Sequence, residues 1–137
     1  MALVLTQSGQ ILLLSYAFKD AAPESLVLKL YKNDVTPTES STAATFTEAD
    51  FTGYSSRTLS RSTWGTPTTV DGQGVISYGA PLTWTCGTTT QNTIFGYFVV
   101  GATSGSLVYA ERFAQSRTLV DGDPVQLTPT FTLDNAP

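Results

Sequence analysis

A chain of 137 residues has the length of one domain and can bury a core of its own without disulfide help. Charged residues make up only 13% of it, against about 25% in an ordinary soluble domain, and the net charge is −4. The seven basic residues are scattered with no two adjacent, so the phosphate-gripping stripe of a nucleic-acid binder is missing and no nucleic-acid partner is expected.

Leu3–Phe18 is the first apolar stretch. Ser8 is placed to cap a helix, with Ile11, Leu14 and Phe18 at helical spacing. Leu12, Leu13 and Tyr16 make that helix apolar all round, which predicts burial on several sides or pressure on a partner. No basic residue precedes Lys19, and Gln7–Gln10 interrupts the apolar run, unlike a secretory signal. No segment approaches the ~18 apolar residues of a membrane span, so a soluble protein with no membrane partner is expected. Ala22-Pro23 ends the segment, because a residue before proline avoids the α region.

Leu26–Tyr31 reads as a strand, with Leu26, Leu28 and Leu30 on one face and Val27, Lys29 and Tyr31 on the other. A polar loop follows over Asn33–Thr45, and Thr47-Glu48-Ala49-Asp50 predicts one short helical turn. Tyr54–Leu59 and Val75–Tyr78 are expected strands, separated by turn-rich Thr63–Gly74. Leu82, Trp84 and Cys86 alternate with Thr83 and Thr85 as a strand with one apolar face. Thr93–Val100 and Leu107–Phe113 flank the turn Thr103-Ser104-Gly105-Ser106 and predict a hairpin. Ile94–Val100 is apolar on both faces, as suits a central strand or one that meets a second copy of the chain. After the turn Asp121-Gly122-Asp123-Pro124, Val125–Leu133 alternates as a strand in which Pro129 requires an edge or a bulge.

Threonine and serine supply the polarity that charge does not, and a β-branched hydroxyl residue suits a pleated strand with one wet face. Seven or eight short strands without repeat or linker imply a single all-β domain over residues 1–137. The expected fold is an antiparallel β-sandwich or jelly roll with at most one or two short helices.

The chain has no histidine, which removes Ser-His-Asp and Cys-His nucleophile systems and the commonest metal ligand. Cys86, the single cysteine, shares an apolar strand face with Leu82 and Trp84 and reads as a packed small hydrophobe. Nothing singles out a glycosidase pair among the eleven carboxylates, and Asp121-x-Asp123 is better explained as a turn than as a calcium site. No enzyme activity, metal or cofactor is expected. Trp64, Trp84, Tyr78 and Tyr97 offer the aromatics of a sugar-stacking platform, with Trp64 the one placed for exposure.

Five runs carry a resemblance: Leu26-Val27-Leu28-Lys29-Leu30-Tyr31-Lys32-Asn33, Phe46-Thr47-Glu48-Ala49-Asp50-Phe51-Thr52-Gly53-Tyr54, Phe95-Gly96-Tyr97-Phe98-Val99, Leu107-Val108-Tyr109-Ala110-Glu111-Arg112-Phe113 and Asp121-Gly122-Asp123-Pro124-Val125-Gln126-Leu127-Thr128-Pro129. Together, from about Leu3 to Leu133, the chain resembles small structural proteins of tailed bacteriophages. The resemblance implies a virion component, above all a decoration (cement) protein on the capsid exterior that partners the major capsid protein. It also implies a homotrimer, and it brings no active site with it. Residues 1–20 then serve as an anchoring arm onto the shell or a neighbouring copy, through Leu3, Leu5, Ile11, Leu12, Leu14, Tyr16 and Phe18, or else complete the domain's own core. A tail-fibre or receptor-binding module that grips host glycans is the alternative.

Overall fold

The computed structural model describes residues 3–134. The chain is an all-β antiparallel sandwich with one α-helix, as its composition implies. Ten strands run in order β1 (Leu3–Leu5), β2 (Leu26–Tyr31), β3 (Arg57–Leu59), β4 (Thr68–Val70), β5 (Gln73–Ser77), β6 (Leu82–Thr85), β7 (Thr93–Gly101), β8 (Leu107–Thr118), β9 (Pro124–Leu127) and β10 (Thr130–Leu133) among the described residues. The helix α1 (Gln7–Phe18) follows β1 directly.

The principal sheet has the order β1-β8-β7-β2-β3, and both of its faces are covered. Alternation along β2 sends Leu28 and Leu30 to one side and Val27 and Tyr31 to the other, into two separate clusters. The larger cluster is closed by β10-β5-β4 and the pair β6-β9, which contribute Trp84 and Val125, with Phe131 and Leu82 packed at its margin. The smaller cluster is closed by the loop between β2 and β3, where Phe46 stacks on Phe98 at 4.8 Å and meets Tyr31 at a tilt, also at 4.8 Å. This loop explains the two-sided apolar pattern of β7. The strand is central, and its second face is covered by the same chain, so that pattern no longer calls for a partner.

Four local expectations need correction. Thr47–Asp50 is extended, and Glu48 bridges to Tyr31; the short 3-10 turn lies at Ala43–Thr45, where Thr42 and Thr45 satisfy each other's backbone. The strand expected at Tyr54–Leu59 begins only at Arg57, because Tyr54 closes a turn onto the Phe51 carbonyl at 2.9 Å. Within Thr63–Gly74, Thr68–Val70 is a strand paired with Gln73–Val75 across Asp71-Gly72, whose φ values of 51° and 80° are those of a tight primed turn. Val125–Leu133 is two strands in different sheets. Pro129 has no N–H for a ladder, and its carbonyl accepts from Tyr78 N at 2.8 Å.

Candidate functional site

The N-terminal segment is built onto a fault in the central hairpin. Val99 pairs with Tyr109 and Val100 with Leu107, so Val108 bulges out of the β7–β8 ladder. The carbonyls around that bulge receive the start of α1. Thr6, continuing from β1, donates its N–H to Val108 O at 3.1 Å and its hydroxyl to Leu107 O at 2.6 Å. The same Thr6 Oγ1 accepts from Gly9 N at 3.1 Å and caps the helix, so the cap is Thr6 and not Ser8. Ser8 Oγ instead donates to Leu107 O at 2.8 Å. Gly9 is buried with no room for a Cβ, which would collide with the Val108 carbonyl. A helix seated this way has its rotation set at its first turn.

That rotation divides the seven candidate anchoring residues into two groups. Leu3 and Leu5 pack against the larger cluster from the sheet edge, and Leu12 joins them from the helix. Tyr16 also faces inward, toward Glu24. Ile11, Leu14 and Phe18 point away from the sheets and are 66%, 58% and 80% exposed. They are three, then four residues apart and form one apolar stripe on the outer face of the helix. One face of the segment therefore completes the core, and the other is bare.

Beneath the inner face lies a cavity of about 270 Å³. Leu12, Leu13 and Tyr16 supply it from α1, Leu59, Val108 and Tyr109 from the principal sheet, and Trp64, Ile76 and Phe131 from the opposite side. Glu24 and Arg61 are its charged lining. Glu24 is held by the β7–β8 turn, with Thr103 N, Ser104 N and Ser104 Oγ all donating to Oε1 at 3.0 Å. Burial would raise its pKa, but those bonds outweigh burial and hold it below the ordinary value. Tyr16 is shifted upward, by burial first and then by the Glu24 carboxylate, with Arg61 opposing. Among the described residues the Tyr109 hydroxyl is buried without a hydrogen-bond partner.

The other candidates disperse. Trp84 and Tyr97 are buried in the core, and Tyr78 is buried edge-on against half-exposed Trp64 at 5.4 Å, so the four aromatics do not form an open platform. Trp84 Nε1 donates to Ser55 O at 2.7 Å, while the Arg57 guanidinium lies 5.3 Å over its ring. Cys86 is buried, and burial together with Asp123 and Asp121 pushes its thiol pKa up. Asp121–Asp123 is a turn: Gly122 N donates to Cys86 O at 2.7 Å, and Asp123 Oδ2 accepts from Val120 N at 3.0 Å. Among the described residues no three His, Cys, Asp or Glu side chains converge as a metal site, and no helix is long and apolar enough to cross a membrane. The cavity under α1 is lined by one carboxylate, Glu24, and so lacks the pair that glycoside hydrolysis uses.

The cavity is what sequence reasoning missed. Its lining comes from six separate stretches of chain, and only Leu12, Tyr16 and Trp64 were marked in advance. No protein-family model matches the chain, and no curated protein matches it.

Proposed function

We propose that this protein is a structural component of a tailed-phage particle, a decoration protein that sits on the outside of the assembled capsid and stabilises it. The observation that carries this reading is the bare stripe of Ile11, Leu14 and Phe18 on a helix fixed to the sheet at its first turn. Such a stripe is a poor surface for an isolated domain and a good one for a partner, since covering it removes apolar area from water. The resemblance to small phage structural proteins names the shell as that partner. A protein that binds the assembled shell better than loose subunits stabilises the shell by mass action. The acidic net charge fits an exterior position, where packaged nucleic acid is not touched. Self-association as a trimer belongs to the same reading, with α1 as the surface available for it.

A receptor-binding module is the second reading, and one observation favours it: Trp64 and Tyr16 line one cavity with Glu24 and Arg61. Its walls are otherwise aliphatic and aromatic, whereas a sugar needs many hydrogen-bonding groups, so this reading ranks second. Quantitative gel analysis of purified particles separates the two. A copy number comparable to that of the major capsid protein is expected; a few copies confined to the tail would favour the receptor-binding module.

A further inference from the structure

The chain holds the dipeptide Asp-Gly twice, each time behind a valine: Val70-Asp71-Gly72 between β4 and β5, and Val120-Asp121-Gly122 before β9. Asp-Gly is where a chain can rearrange unaided, because glycine has no side chain to shield its nitrogen from the aspartyl carboxyl beside it. The two sites match in exposure as well as in sequence. Both aspartates and both glycines are exposed, and Val70 and Val120 are 50% and 51% exposed. The fold treats the two glycine nitrogens differently. Gly122 N donates to Cys86 O at 2.7 Å. Its loop is also tied by Asp123 N to Val120 O and by Val120 N to Asp123 Oδ2, both at 3.0 Å. Gly72 N has no acceptor among the described residues. Asp71 is also the only non-glycine residue of positive φ among them, at 51°, a costly conformation for an L-residue that rotation at Asp71 relieves. β4 is a three-residue edge strand, exposed at every position, so little resists movement of the hairpin tip.

We propose that Asp71 is a site of spontaneous isoaspartate formation, and that Asp121, in the same local sequence, is protected by the fold. Gly72 N attacks Asp71 Cγ, and the new C–N bond closes a five-membered succinimide. The carboxyl O–H and the amide proton leave together as water. Water then adds back at one of the two ring carbonyls. Opening at Cγ restores aspartate, whereas opening at the main-chain carbonyl routes the chain through the side chain as isoaspartate. Nothing is oxidised or reduced, and water is the only co-reactant. The product adds a methylene to the main chain inside a two-residue turn, which spoils its match to the Val70–Gln73 pair, while β5 keeps its pairing with β10. The proposal rests on neither the capsid reading nor the receptor-binding one.

The test ages the full chain in warm, mildly acidic buffer, folded in one arm and urea-unfolded in the other. Isoaspartate is labelled with an isoaspartyl methyltransferase and tritiated S-adenosylmethionine, and its position is read by electron-transfer fragmentation of tryptic peptides. The peptide of residues 62–112 has Asp71 as its single aspartate, and that of residues 118–137 carries Asp121. In folded protein, isoaspartate at Asp71 should exceed that at Asp121 by about tenfold, the factor one hydrogen bond is worth, and in urea the two should agree within about twofold. The urea arm separates the effect of the fold from that of the shared sequence. Any of four results overturns the proposal: equal isoaspartate at the two sites in folded protein, an excess at Asp121, an excess at Asp71 that urea leaves unchanged, or none at Asp71 in folded protein once the unfolded chain has accumulated it at both sites.

Discussion

Cys86 and Glu24 show how neighbours decide the behaviour of single side chains. Cys86 is 1% exposed, and burial with two nearby aspartates keeps its sulfur protonated, so it meets neither condition for reactivity. A thiol reagent should modify native protein about a hundredfold more slowly than urea-unfolded protein; equal rates would place the sulfur at the surface. Glu24 is the opposite case, a carboxylate whose charged form the fold prefers because the Ser104 and Thr103 donors outweigh burial. Its folded pKa lies below the unfolded one, so its contribution is complete above the unfolded value and is lost as pH falls through the folded value. Glu24→Gln keeps an acceptor but cannot titrate. Its melting temperature should therefore fall less than that of the wild type on acidification from about pH 5 to pH 3. Identical acid profiles would show that the turn contact carries no pH-dependent stability.

At the scale of elements, α1 is informative because its sequence and its seat make opposite demands. Alanine is a better helix former than glycine by about 1 kcal/mol, so propensity alone predicts that Gly9→Ala stabilises the helix. The seat predicts the reverse, since a Cβ at Gly9 would strike the Val108 carbonyl, and the backbone must shift to admit it. Gly9→Ala should destabilise by about 1–3 kcal/mol in urea titration, and the sign of the change decides between the two. The helix was legible from its periodicity, and its cap was misplaced by two residues for a physical reason. Ser8 and Thr6 are equally good caps in isolation, but only Thr6 lies in line with β1 to reach the bulge. The β4–β5 hairpin was legible and overlooked: Asp71-Gly72 is a strong two-residue turn signal whose flanking strand Thr68–Val70 lies on the surface and has little apolar pattern.

For the whole molecule, surface and stability separate cleanly. Ile11, Leu14 and Phe18 contribute little to the fold, because each is more than half exposed. Replacing Phe18 and Ile11 by serine should change the unfolding free energy by no more than about 0.5 kcal/mol per site. If the stripe is the docking surface, the same variant should lose most of its binding to assembled shells in co-sedimentation, and light scattering should give it a monomer's mass and the wild type the mass of the proposed trimer. Undiminished shell binding would remove α1 from the interface. On the proposed capsid role, particles without the protein should assemble but burst at lower temperature, because each bound copy would add stabilisation to the shell.

The sequence by itself determined the fold class, the three inner strands β2, β7 and β8 of the two-sided sheet, the burial of Cys86 and Trp84 and the turn at Asp121–Asp123. All of these follow from alternation and turn chemistry, which act over a few residues. Only the tertiary structure decided which face of α1 is bare. The helix is apolar all round, and its rotation depends on the carbonyls at Leu107 and Val108, about a hundred residues away along the chain. The cavity likewise exists only once α1, the principal sheet and β5 and β10 close around it. The fate of the second face of β7 is of the same kind: its pattern said that something covers it, and packing decided that the cover is Phe46 of the same chain.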